Sequence, residues 1–185
     1  MFKFEDVTLI ELPNKTLRQK SNDITLPLTK EDEDLIQKMI FHVDDSQEKE
    51  TKFRPAVGVA AVQYGILKNV FYILLKDENN EVLFKDALIN PQMVAHSEHK
   101  LALDEGEGCL SVNQNDPGQA GYVPRYARVV MKAYSYYEKK EKTYDVSGYL
   151  AIIFQHEYDH LFGKLFIDHL NKKEPWKVPK NTTII

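Results

Sequence analysis

His156, Glu157 and His160 stand in the run His-Glu-Tyr-Asp-His, the part of this chain richest in reactive groups. Two histidines four positions apart share one face of a helix, one turn from each other. Their imidazole nitrogens can therefore reach a single metal ion. Glu157, between them, is placed to handle a proton on water held by that ion. The preceding residues, Ser147 to Gln155, are apolar enough for a core helix, with Ser147 as its N-cap and Gly148 weakening its start. Two imidazoles buried in such a helix are costly without partners, which favours a ligated pair over a chance pattern.

A catalytic site of this kind keeps three protein ligands and one open position, so the third ligand decides the chemistry. In one protease group the motif runs on to a third histidine. Here the chain matches through Gly163, but Phe166 stands where that ligand would be, and His169 lies at the wrong spacing. Other proteases take a downstream carboxylate. Only Asp168 and Glu174 follow Gly163, in a stretch too short for a returning helix. Cys109 is the better candidate, because a thiolate is a strong ligand that pairs naturally with two imidazoles. Taken alone, it reads as a small buried hydrophobe.

Cys109 lies in Glu107-Gly108-Cys109-Leu110-Ser111. Together with Gly58-Val59-Ala60-Ala61-Val62-Gln63 and Gln155-His156-Glu157-Tyr158-Asp159-His160, in that order, it resembles the three motifs of bacterial-type peptide deformylases. The resemblance runs from about Leu12 to His169, and the long loops Asp44–Pro55 and Asn113–Gly121 look like the longer-looped subclass. It implies a hydrolase that removes the formyl group from formyl-methionyl nascent chains and releases formate. It implies Cys109, His156 and His160 as ligands of one divalent ion, ferrous iron in the cell, with zinc or nickel able to fill the same site. It also implies Glu157 as acid and base, with the Gln63 amide and the Leu110 N–H as donors to the reacting oxygen. Glu107, Arg125, Gln155 and Asp159 are expected to orient the ligands, with Arg125 paired to Glu107. Gly58 and Val59 are expected to offer backbone pairing to the peptide, and Tyr149, Ile152 and Ile153 to line the methionine pocket. Two positions depart from the pattern: Ala56 stands where the family usually has glycine, and Val62 where it often has proline. Neither change removes a reactive group.

The elements that carry these groups read as α+β, with mixed or antiparallel sheets packed around a central metal-binding helix. Thr29 caps a helix whose stripe is Leu35, Ile36, Met39, Ile40 and Val43. Pro13–Arg18 reads as a turn into a short helix. Strands are expected over Val70–Leu75 and Val82–Ile89, with Pro91 interrupting the latter. A further strand is expected near Leu101 and Leu103, a hairpin from Val129–Tyr136 to Lys142–Val146, and a strand over Leu165–Ile167. One domain over residues 1–185 is expected, with N-terminal helices about 13–46, sheets about 57–146, the histidine helix about 147–161 and an irregular tail over 168–185.

A net charge of −4 gives no global basic field, which argues against a DNA-binding protein. Lys172, Lys173, Lys177 and Lys180 read as a solvated tail, with contact to RNA or a ribosome as the alternative. A single cysteine cannot form an internal disulfide and points to a reducing compartment. Met1–Pro13 lacks a leader pattern and no apolar run is long enough to span a bilayer, so a cytoplasmic protein without membrane attachment is expected. Two rival functions stay open: a zinc peptidase with another third ligand, and a silent relative that only binds formylated or methionyl N-termini.

Overall fold

A computed structural model describes residues 2–113 and 116–185. Met1 lies outside the described residues, as do Gln114 and Asn115 within the loop expected over Asn113–Gly121. Helix α1 (Lys30–Ser46) opens on a capping box, in which the Asp32 N–H donates to Thr29 Oγ1 and the Thr29 N–H to Asp32 Oδ2. After it come β1 (Gly58–Ala60), β2 (Val70–Lys76), β3 (Val82–His96), β4 (Lys100–Ala102), β5 (Arg125–Tyr126), β6 (Arg128–Ser135) and β7 (Lys140–Ser147). Helix α2 (Gly148–Leu161) follows directly, and β8 (Thr182–Ile184) closes the order. Strands β1-β2-β3-β6-β7 form one antiparallel sheet; β5-β4-β8 form a small second one in which β8 runs parallel to β4. The architecture is α+β with antiparallel sheets.

The larger sheet is covered on both faces, which explains why β2 is apolar at nearly every position rather than alternating. Val70, Tyr72 and Leu74 pack towards α1, against Leu35, Ile36, Met39 and Val43. Phe71 and Ile73 point the other way, into the cluster that holds Ala151, Ile153, Phe154 and Leu161 of α2. Helix α2 is thus seated against the sheet by its apolar side.

Four expectations need correction. Pro91 does not end its strand: β3 continues to His96, and Ile89↔Tyr134 to Gln92↔Lys132 spans one residue more on β3 than on β6. That bulge accommodates the residue that lacks an N–H. Its neighbour Asn90, at φ +51°, bonds both backbone groups of Ile24. Leu165–Ile167 is not a strand; Phe166–His169 forms a 3-10 turn, capped at its start by Asp168 accepting from the Leu165 N–H at 2.9 Å. Ser147 occupies the N-cap of α2 without any side-chain bond. The tail is not irregular throughout, since its last residues pair with β4 as β8.

The N-terminal segment is a strap across the molecule. The Ile10 N–H donates to Gln63 O at 2.8 Å, the Leu12 N–H to Ser111 O at 3.0 Å and the Ser21 N–H to Leu161 O at 2.8 Å. Between them Leu17, in the 3-10 turn Lys15–Arg18, is fully buried. The strap crosses so closely that a Cβ on Gly163 would lie 2.5 Å from the carbonyl of Arg18.

His42 links α1 to the 3-10 turn Ala61–Tyr64, with its Nδ1 2.8 Å from the Tyr64 hydroxyl. Burial lowers its pKa from 6.5 to about 4, with Asp45 opposing. Below pH 6.5 the unfolded chain takes up a proton that the folded protein refuses until about pH 4. The stabilisation from neutral His42 is therefore complete above 6.5 and lost as pH falls through that window. Urea unfolding of the parent and of His42→Gln should show the parent losing up to about 1.4 kcal/mol more per pH unit between those limits. Equal slopes in the two proteins would refute it.

Candidate active site

Helix α2 brings His156, Glu157 and His160 to the inside of the molecule, and the loop after β4 brings Cys109 to meet them. One ligand atom from each of Cys109, His156 and His160 lies within 4.8 Å of the others. Cys109 Sγ is 3.4 Å from His160 Nε2. Ligands placed tetrahedrally around a zinc-like ion, one sulfur and one nitrogen, stand about 3.5 Å apart. The donor set therefore fits a divalent ion of that type.

The surroundings of His156 fit it too. His156 Nδ1 lies 2.7 Å from Glu107 Oε2, which leaves Nε2 for the cluster. Burial works against a proton on this ring, but Cys109 and Glu107 outweigh it and hold the pKa well above the usual histidine value. Groups that favour a proton there favour a metal cation in the same place. His160 goes the other way: burial and the His156 charge lower its pKa, which suits a neutral ligand.

Behind the histidines lies a buried charge network. Arg125 grips Glu107 in a fork, Nε to Oε1 at 2.7 Å and Nη2 to Oε2 at 3.0 Å. Its third nitrogen reaches Asp159 Oδ2 at 2.5 Å, and Asp159 also receives His169 Nε2 at 2.7 Å. Burial pushes Glu107 up, yet Arg125 and His156 bring it down to about 2. Asp159 follows the same course to about 2, through His169 and Arg125. The Gln155 amide bonds both backbone groups of Tyr126, at 2.8 and 2.9 Å, and so anchors the strand that carries Arg125.

Glu157 meets the opposite environment. Burial raises its carboxyl to about 7, with His156 opposing and Glu107 adding to the rise. Among the described residues its buried Oε2 has no hydrogen-bond partner. A Cβ on Gly58 would lie 2.7 Å from Glu157 Oε1, so the carboxylate fills the space that glycine leaves. Gln63 turns its Oε1 to the Ala60 N–H at 2.9 Å, which faces its Nε2 to Ser111 Oγ at 3.2 Å and Cys109 Sγ at 3.7 Å. The Leu110 N–H has no acceptor among the described residues.

These groups open on a cavity of about 500 Å³. Gly58, Gln63, Cys109, Leu110, His156 and Glu157 line it, and so do Tyr149, Ile152 and Ile153. Val59 does not: its side chain is buried under α1. Val57 O accepts from the Leu74 N–H, so in the antiparallel β1–β2 pair Val57 and Val59 turn their polar groups to β2. Gly58 then turns its N–H and C=O to the open edge. Of the two residues expected to pair with a peptide, only Gly58 is placed to do so. Three contributors were missed: Ser111 and His169, which hold Gln63 and Asp159, and Arg54 at the rim. Ser111 and Arg54 meet partners from distant segments, and His169 meets Asp159 ten residues back at no helical spacing, so no local pattern marks them.

The family model described as "Polypeptide deformylase" matches residues 7–176. The chain is 49% identical to the peptide deformylase of Mycoplasmopsis pulmonis over 95% of its own length and 94% of the relative's. It is 39% identical to that of Limosilactobacillus reuteri over the whole of both. Among solved structures it resembles peptide deformylase from Ehrlichia chaffeensis in complex with actinonin: TM-score 0.72, 28% identity, covering 91% of each chain.

Removing Arg125 would strand the buried carboxylate of Glu107 and leave Asp159 with His169 alone. Arg125→Met should lower stability by about 3–5 kcal/mol at pH 7, the cost of breaking a buried pair. Chemical denaturation measures it; a loss below about 1 kcal/mol would mean that the network behaves as a solvent-exposed one.

Proposed function

The chain belongs to the polypeptide deformylase family, and from that premise we propose that it hydrolyses the formamide bond of formyl-methionyl nascent chains, releasing formate. One observation carries the reading at this chain's own residues: Gln63, Leu110, Glu157, Cys109 and His156 line a single cavity, with His160 joined to Cys109 and His156 in one cluster. The family is metal-dependent, and Cys109, His156 and His160 would hold the ion. A divalent ion in that position supplies Lewis acidity, polarising the formyl carbonyl and making water easier to deprotonate.

The protein supplies the rest. Glu157 takes the proton of the attacking water and hands it to the leaving amine. A carboxyl held near 7 by burial is suited to both transfers. Gln63 Nε2 and the Leu110 N–H donate to the formyl oxygen as it gains charge, and removing one such donor typically costs about 3 kcal/mol. The bond from Ala60 to Gln63 Oε1 fixes which end of the amide faces the substrate. Gly58 pairs with the extended peptide through its main chain. Ile152, Ile153 and Tyr149 enclose the methionine side chain. Glu107, Arg125 and Asp159 hold His156 in orientation, and Gln155 holds Arg125's strand.

Ferrous iron is the ion we assign to the cell, with zinc or nickel able to occupy the same donors. We take residues 1–185 as one catalytic domain, working in the cytoplasm. Among the described residues no helix is long and apolar enough to cross a membrane. Nascent chains emerge at the ribosome, and Lys172, Lys173, Lys177 and Lys180 are the surface this reading offers to it.

Formate release from formyl-Met-Ala-Ser, with oxygen excluded and bound metal quantified, tests the reading. The parent should turn over; Glu157→Ala should keep its metal and lose at least about 100-fold in kcat. Metal-loaded parent that releases no formate would overturn the assignment. Gly58→Ala should also keep metal and lower kcat by about 10- to 100-fold, because the new Cβ displaces the Glu157 carboxylate. The same change in a Glu157→Ala background should cost much less, and equal losses in both backgrounds would show that Gly58 acts independently of Glu157.

A further inference from the structure

Arg54 has no role in the reaction as derived so far. It stands on the rim of the cavity with half of its side chain exposed, and it is the one lysine or arginine among the described residues that line it. Its guanidinium forks across two successive carbonyls. Nη2 donates to Cys109 O at 3.4 Å and Nη1 to Leu110 O at 3.3 Å, while Glu11 Oε1 lies 3.6 Å from Nη1. Cys109 O also accepts from the Val112 N–H at 3.2 Å, and the next carbonyl, Ser111 O, accepts from the Leu12 N–H. Every carbonyl from 109 to 111 is therefore held.

The oxygen of Cys109 and the N–H of Leu110 belong to one planar trans peptide unit, in which they point opposite ways. A group that holds the oxygen on one side turns the N–H to the other. A cation on that oxygen also polarises the unit and strengthens the N–H as a donor. The Leu110 N–H, with no acceptor among the described residues, is the group this would sharpen.

We propose that Arg54 is a positioning residue, which fixes and polarises the Cys109–Leu110 peptide unit so that the Leu110 N–H meets the oxygen of the substrate's formyl group. The inference rests on the deformylase reading and adds to it a charge outside the three motifs. Direct contact between Arg54 and an acidic side chain of the peptide is the competing role. The two carbonyl bonds favour positioning, since they already engage both terminal nitrogens.

Arg54→Gln and Arg54→Lys should be assayed on formyl-Met-Ala-Ser and on peptides with Glu or Lys in third place. Bound metal and the affinity for the product Met-Ala-Ser should be measured alongside. Arg54→Gln should lower kcat by about three- to tenfold on every peptide, the scale of a half-exposed charged hydrogen bond. Metal content and product affinity should not move, and Arg54→Lys should recover part of the loss. An active parent matched by Arg54→Gln overturns the inference alone. So does a loss confined to KM and to the acidic peptide, which would assign Arg54 to the substrate directly. A parent that yields no formate overturns the deformylase reading, and this inference with it.

Discussion

Glu107 is the residue on which the site turns. One of its oxygens lies beside His156 Nδ1 and both accept from Arg125, which in turn reaches Asp159 on the face of α2. Such a carboxylate would be expensive in this interior if it were alone. Its partners reverse the sign and make it a fixed negative charge behind the cluster. From that charge follow the orientation of His156, the preference of the site for a cation, and the attachment of the cysteine loop to the helix. The loop supplies Glu107 and Cys109 two residues apart, so the pairing that steers the histidine also locates the thiol.

The two glutamates of the site show how environment divides labour. Glu107 and Glu157 are both buried, yet one is held near 2 and the other near 7. The difference is the company they keep. Glu107 has a guanidinium at bonding distance; Glu157 has an oxygen without a partner among the described residues, and its carboxylate fills the space left by Gly58. One is suited to remain a charge, the other to exchange a proton.

Much of this was legible in the chain because its signals are local. Thr29 with Asp32 and an apolar stripe announces α1, and His156 with His160 announces one face of a helix. Cys109 was found by elimination and by its motif. What stayed hidden depends on partners far apart in sequence. Pro91 carries a strong local signal against a strand, but a bulge and the Asn90–Ile24 pair absorb it. The tail ends on the β-branched run Thr182 to Ile185, too short a signal to announce a strand by itself; β8 forms where β4 offers it an edge. Val59 and Gly58 look equivalent in sequence; the register with β2 is what separates them.

The N-terminal strap bonds to Gln63, Ser111 and Leu161, one point on each of the three segments that build the site. These contacts join positions separated by most of the chain, so they raise contact order and can form only after large loops have closed. The site is then not a local structure that folds early and waits. It comes into being with the last cooperative step, and it should be lost in the same step, with no partially unfolded form that retains the cluster. Protection of the Ile10, Leu12 and Ser21 amides from hydrogen exchange would therefore track the global opening of the molecule.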